Sequence, residues 1–246
     1  MELFRCLIGS QNYGLDTPES DRDYYVYHAP SFEQLCYKKD VAREEKFEHG
    51  ILFHKDIRGL DNMIKKSSFN QIEILWTTDY KVENMHIYSP SQAFSLGRLW
   101  GWLRHNRDDI AIANLPRLYQ STLGEFTRRI ADINRNKYTE GTKYLFEQQG
   151  YDSKNAMHAF RLAYMLIEIG QGNTFNNVVT CDTQTKDWLL GIKTGKYDKQ
   201  EILNQLNGIR QQILASFFKF DSHKMNEALL VELESLILDV VKAFAV

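Results

Sequence analysis

Leu3-Phe4-Arg5-Cys6-Leu7-Ile8-Gly9-Ser10-Gln11-Asn12-Tyr13-Gly14 is followed about ten residues later by Ser20-Asp21-Arg22-Asp23, and the fold turns on reading these two segments together. Leu3–Ile8 is a short apolar run that ends at a glycine, the pattern of a buried strand. Gly9 permits a tight turn there, and Ser10 can open the next element as its N-cap. Backbone N–H groups and a hydroxyl at such a turn form a ready anion site. Asp21 and Asp23 stand at i and i+2, a spacing that on a strand puts both carboxylates on one face, roughly 7 Å apart at Cα. Two such carboxylates repel unless a cation joins them. The usual partner is Mg²⁺, with Mn²⁺ as a substitute, a hard ion that takes oxygen ligands and substrate phosphates. A lone Gly-Ser or Asp-x-Asp is ordinary turn chemistry. In this order, strand, Gly-Ser, then Asp-x-Asp on a strand, they are the minimum equipment for metal-assisted nucleotidyl transfer.

Working outward, Asp23–His28 is rich in Tyr and Val and is stopped by Pro30, which predicts a second strand. Ile51–Asp56, entered through Gly50, predicts a third, with a helix over Ile57–Lys66 and a short strand or helix end over Gln71–Trp76. Glu44, Glu45 and Glu48 sit in a charged run that reads as a solvated face. The four prolines stand at 18, 30, 90 and 116, so the last 130 residues have none. Helical spacing accordingly marks Ala93–Arg107, Leu115–Arg135, Ser153–Ile169, Lys199–Phe218 and Met225–Phe244. The expectation is an α+β chain, a small mixed sheet with helices over residues 1–90 and then a mainly α-helical domain over 91–246.

Composition bounds the rest. The chain has 246 residues, 43% of them hydrophobic, and a formal net charge of −2, with too few Pro and Gly for a disordered or collagen-like chain. Three cysteines make neither a disulfide scaffold nor a four-thiolate zinc site, and Cys6, Cys36 and Cys181 read as ordinary thiols. No secretory leader is read at Met1–Arg5, and no apolar stretch is long enough to span a bilayer, so the expected location is cytoplasmic with no membrane partner. The near-neutral charge is a cancellation. Residues 1–90 carry 11 basic and 15 acidic side chains, while residues 91–246 carry 19 and 17. Between 98 and 137 eight basic residues face four acidic ones, which suits either a polyanion or a solvated helix face.

Gly9-Ser10-x-x-Tyr13-Gly14-x-x-Thr17-Pro18-x-Ser20-Asp21-x-Asp23 resembles the nucleotidyltransferases of the DNA polymerase beta superfamily, and within them the RlaP-type branch of bacterial and phage enzymes associated with RNA repair. Lys154-Asn155-Ala156-Met157-His158-Ala159-Phe160-Arg161-Leu162 is similar to that branch's later Met-His-x-x-Arg-Leu helix. Gln11 stands where the branch commonly has His, and Ser68-Phe69-Asn70-Gln71 replaces a more usual Asn-Pro segment. The last 70 or so residues carry no resemblance.

The resemblance implies a polymerase-beta-like catalytic domain over 1–90 and a third acid on a neighbouring strand, for which Asp56 is chosen as metal ligand or base. Asp56 has a second reading as the N-cap of the helix that begins at Ile57, and Glu73 is a rival or a support residue beneath the site. Lys154, His158 and Arg161 fall on one helical stripe, with Met157, Phe160, Tyr164 and Ile167 on a neighbouring core stripe. The resemblance makes that cationic stripe a nucleotide-phosphate contact; the alternative is a His and an Arg that tie domains together through acidic partners. Trp100 and Trp102 could stack bases, but most such rings are core. The expected enzyme moves a nucleoside monophosphate from an NTP, ATP foremost, to an acceptor hydroxyl on RNA such as a tRNA 3′ end, releasing pyrophosphate. Its expected residues are Gly9 and Ser10 for phosphate and Asp21, Asp23 and Asp56 for metal. Nucleotidylation of a protein or a small molecule, and nucleotide binding without turnover, are the alternatives.

Overall fold

β2 (Asp23–His28) is the centre of the sheet, and Tyr24–His28 are all buried. In the computed structural model, which describes residues 1–18, 20–82 and 85–245, the sheet has five strands. The others are β1 (Glu2–Ile8), β3 (Arg43–Phe47), β4 (Gly50–Asp56) and β5 (Tyr80–Lys81), in the order β3-β4-β2-β1-β5. β1 is antiparallel to β2 and to β5, β4 runs parallel to β2, and β3 is antiparallel to β4. A strand covered on both faces needs no polar alternation, which explains why 23–28 alternates poorly as sequence.

The two edges differ from that centre. All five residues of β3 (Arg-Glu-Glu-Lys-Phe) are exposed. The run holding Glu44 and Glu45 is therefore solvated, as expected, yet it is a strand: charged side chains are a usual protection of a sheet edge. Pairing with β4 holds it extended, information that a local charge run does not carry.

The segment after β4 is tighter than predicted. Ile57–Asp61 is a 3-10 turn and only Asn62–Lys65 is α-helical. Residues 71–76 resolve as helix, with Phe69–Ile72 running into a 3-10 turn at Glu73–Trp76. The helix Pro90–His105 begins three residues before its apolar pattern because Pro90 occupies the first turn and Ser89 forms a capping box with Gln92. Phe4 stacks on Tyr27 at 4.9 Å between ring centres, and Trp100 lies flat on Tyr80 at 3.9 Å with planes 6° apart. Trp100 is thus a packing residue of the sheet.

The chain divides into two compact units, Met1–Asn114 with Met225–Val246, and Leu115–Lys224. The expected boundary after residue 90 is not where contacts thin out. The helix Pro90–His105 belongs with the sheet, and the helix Glu227–Phe244 returns to it, packing on Pro90–His105 and on the 57–61 turn. Leu233 and Val240 on that last helix are fully buried, worth about 1.5–3 kcal/mol each. Arg98–Asp239 at 3.3 Å and Lys65–Glu234 at 2.5 Å add exposed ion pairs. The C-terminal segment therefore completes the core of the unit that carries the sheet.

The second unit is helical. Ser153–Gly170 is its central helix, packed by Leu115–Asn134, Thr183–Lys193 and Lys199–Ala215. Met157 and Phe160 are fully buried as the stripe predicts, whereas Tyr164 and Ile167 are half-exposed. Among the described residues no helix is long and apolar enough to cross a membrane.

Candidate functional site

β1 ends at Gly9, whose backbone sits at φ 77°, ψ −155°, a region open to glycine and strained for any residue with a Cβ. Space is not the constraint, since a Cβ there would meet nothing within 4 Å. The conformation turns the chain into the 3-10 element Ser10–Tyr13, closed by Asn12 N donating to Gly9 O at 3.0 Å and Leu15 N to Ser10 O at 2.9 Å. The first N–H groups of such an element have no partner inside it. Ser10 is buried at this turn.

Two further residues hold the turn in place. Asn12 accepts from Thr78 N at 2.9 Å and donates to Glu73 O at 3.4 Å, and the Glu73 carboxylate accepts from Gly9 N at 3.4 Å. Glu73 is buried, so it lies beneath the turn as a support, in line with the second of its two readings. Sequence reasoning missed Asn12; its position inside the Gly-Ser segment was the only available signal.

Asp23 stands directly opposite Ile8 in the antiparallel register, one residue before Gly9. Burial raises the Tyr25 phenol well above its usual range, and the nearby Glu73 and Asp23 carboxylates push it further. Asp23 Oδ1 accepts from Ile51 N at 3.0 Å. Asp21 is exposed, two residues earlier on the chain entering β2. Between them, Arg22 N donates to His49 O at 2.6 Å, and a Cβ on Gly50 would lie only 2.7 Å from the Arg22 carbonyl carbon. Gly50 is therefore a glycine because the Asp21-Arg22-Asp23 backbone passes against it. On the opposite side, Asp79 accepts from Arg22 at 3.4 Å and from the Tyr24 hydroxyl at 3.0 Å.

Asp56 does not join this group. In the parallel pairing it stands opposite His28, five residues beyond the position opposite Asp23, about 17 Å along the strands. Its carboxylate caps the following turn by accepting from Arg58 N at 2.9 Å, and it pairs with the Arg58 guanidinium through Nε at 2.9 Å and Nη2 at 2.7 Å. The capping reading is the one realised, and the expected Asp21–Asp23–Asp56 triad is corrected. The parallel register separates the acids, and strand position in sequence does not reveal it. His54, two residues back, faces His28 with ring nitrogens 2.7 Å apart and Glu45 at 3.2 Å.

Among the described residues no three His, Cys, Asp or Glu side chains converge closely enough to hold a metal ion. The donors present at the Asp21–Asp23 end are two carboxylates, which matches the way Mg²⁺ is usually held, by one or two carboxylates with substrate phosphates and water. Two carboxylates are donors of the kind a hard cation takes, and Asp56, at the other end of the strands, does not add a third.

Lys154, His158 and Arg161 belong to the second unit. Arg161 is buried, and Lys154 and His158 are half-buried. Burial drives the His158 imidazole well below its ordinary pKa, and the positive charges of Arg161, Arg129, Lys154 and Lys193 reinforce this. The imidazole is thus neutral at pH 7. Arg129 Nη1 donates to Asn155 Oδ1 at 2.8 Å, which locks two helices together. The structure brings the three predicted residues into one cationic cluster and adds Arg129 and Lys193. Arg129 lay in the basic 98–137 stretch, while nothing in the sequence singled out Lys193. No family model, curated protein or solved structure matches the chain.

Proposed function

We propose that this chain is a Mg²⁺-dependent nucleotidyltransferase of the polymerase beta type, moving a nucleoside monophosphate from an NTP, ATP foremost, to an acceptor hydroxyl on RNA. The observation that carries the reading is the Ile8–Asp23 register, which sets the Gly9-Ser10 turn beside the Asp-x-Asp entry to β2. Backbone N–H groups of that turn and the Ser10 hydroxyl bind the departing phosphates. Asp21 and Asp23 would hold the ion. When bound, Mg²⁺ neutralises the phosphate oxygens and makes the α-phosphorus more electrophilic. The acceptor hydroxyl gives its proton to water as its oxygen bonds to that phosphorus, the bond to the β-bridging oxygen breaks, and pyrophosphate leaves with that electron pair. Within the helical unit by itself, half-buried Lys154, Arg129 and neutral His158, beside buried Arg161 and Lys193, form a separate cationic cluster suited to an anionic phosphate.

Support also comes from the Gly50 contact and the Arg22–His49 hydrogen bond, which hold the two aspartates in a defined backbone. The test is incubation with α-labelled NTPs, Mg²⁺ and total RNA. Label transfer to RNA that disappears in the Asp21→Ala/Asp23→Ala protein is expected. Equal labelling by both proteins overturns the reading, and Mg²⁺-dependent NTP binding without transfer overturns its catalytic part.

A further inference from the structure

β2 and β4 are the parallel pair of this sheet, and a cavity of about 470 Å³ opens at their carboxyl ends, the end away from Asp23. That volume is in the range of small-molecule sites, and the carboxyl ends of parallel strands are where open α/β sheets place ligands. Four segments wall it: the strand ends with Tyr27 and Lys55, the turn after β4 with Asn62, the connection bearing Lys38 and Asp40, and the helix Phe69–Ile72 with Gln71.

The walls are built to stay in place. Arg58, already paired with Asp56, also donates through Nη2 to Lys39 O at 2.7 Å, tying the Lys38–Asp40 segment to the end of β4. Lys38 stands at φ 51° as the left-handed residue that ends the helix Phe32–Cys36, with Lys38 N donating to Leu35 O at 3.3 Å and Lys39 N to Gln34 O at 3.0 Å. Asp56 is consumed by Arg58, so the charges left to the cavity are the Lys38 and Lys55 ammoniums against the Asp40 carboxylate. Lys55 stands 4.2 Å over the Tyr25 ring, and burial lowers its pKa although Asp40 opposes the shift. A half-buried ammonium on a ring face gains from an added anion.

The remaining polar groups include the side-chain amides of Asn62 and Gln71, which donate as well as accept. Asn62 Nδ2 donates to Gly59 O at 3.0 Å, which fixes its amide at the wall and leaves its second N–H and its carbonyl to other partners. Gln71 lines the cavity, and its amide oxygen is shut off from solvent with no hydrogen-bond partner among the described residues. Ammoniums in one part and side-chain amides in another suit a ligand with an anionic group and, apart from it, polar groups that accept or donate hydrogen bonds.

We propose that this cavity is a binding site for a nucleoside-monophosphate-sized organic phosphate, its phosphate on Lys38 and Lys55 and its base or hydroxyl groups on the Gln71 and Asn62 amides. Lysine serves phosphate as a point charge without demanding bidentate geometry. The site is separate from the Asp21–Asp23 end and does not require a metal.

The experiment is calorimetric titration of the full chain, in EDTA, with AMP and with inorganic phosphate. AMP is expected to bind more tightly than phosphate. Lys55→Met and the rim change Lys38→Ala should each weaken AMP about tenfold. Gln71→Leu should weaken AMP while leaving phosphate unchanged, and the Asp21→Ala/Asp23→Ala protein should bind AMP like the wild type. No AMP binding in EDTA, phosphate binding as tight as AMP, or AMP binding that survives the lysine changes and is lost in the aspartate double variant each overturns the proposal. Because the metal-free titration does not depend on transfer, failure here and failure of nucleotidyl transfer are read independently.

Discussion

Replacing Gly50 with alanine tests whether the sheet shapes the Asp21-Arg22-Asp23 backbone. A Cβ at residue 50 would stand 2.7 Å from the Arg22 carbonyl carbon and 3.0 Å from its nitrogen, and closer still to its oxygen. Carbon atoms settle at about 3.5–4.0 Å, so one strand must move by about 0.8 Å or more. The neighbour is backbone, pinned by the 2.6 Å hydrogen bond from Arg22 N to His49 O and by Ile51 N on Asp23. It cannot swing aside as a side-chain tip would. Overpacking of this kind costs about 1–3 kcal/mol, which in a chain of this size lowers Tm by roughly 2–12 °C. A shift of about 1 Å at positioned carboxylates costs on the order of 100-fold in rate, so label transfer should fall by about that factor. Differential scanning fluorimetry and the transfer assay read the two effects separately. Gly101→Ala is the control, because its Cβ meets nothing within 4 Å on an exposed helix position; there, stability should rise by about 0.5–1 kcal/mol. If Gly50→Ala melts within a degree of the wild type, the close approach does not shape this backbone and the argument fails.

Asp56→Asn should lower urea stability by about 1–3 kcal/mol, through a weakened cap and a lost partner for the partly exposed Arg58; transfer per folded molecule should be unchanged, and a hundredfold loss without destabilisation would return Asp56 to the catalytic set. Burial, the facing His54, the N-terminal amine and Arg43 lower the His28 pKa from 6.5 to about 4, with Asp56 opposing. The folded state therefore binds fewer protons, so stability is full above pH 6.5 and falls as pH drops towards 4, by up to roughly 3 kcal/mol. Urea midpoints at pH 4.5 and 7.0 should differ less in His28→Gln, although His158, depressed in the same direction, retains its own share of the slope; an unchanged slope contradicts the assignment. Burial raises the Cys6 and Cys181 thiols while Cys36 is exposed, so iodoacetamide mapping of the native protein should modify Cys36 first, and early labelling of Cys6 would contradict its buried setting.

Some elements were legible because their causes are local. Asp23–His28 was read to its observed ends from Tyr and Val content and a following proline, and Gly9 was read as a turn because a glycine after an apolar run has few other uses. The helix Ser153–Gly170 matched its 3.6-residue pattern within a residue of either end. Asp56 shows the limit. As sequence it was equally a strand-end acid and a helix cap, since both readings need the same Asp before the same turn. The choice followed from the β2–β4 register and the position of Arg58, and neither can be seen from residue 56. β3 was hidden for a related reason: Arg43–Phe47 has no buried face, so its extension comes from the hydrogen bonds of β4.

The sequence alone determined the ordered Gly-Ser and Asp-x-Asp segments, the α+β character and the helical second half, each carried by neighbours within about ten residues. Tertiary structure decided which acids share an end of the sheet, that Glu73 and Asn12 support the Gly9 turn, that the last helix returns to the first unit, and that Arg129 and Lys193 gather around His158. These depend on strand register and on contacts between residues far apart in sequence. Local propensity and periodicity set the elements, but long-range pairing sets which of their side chains meet.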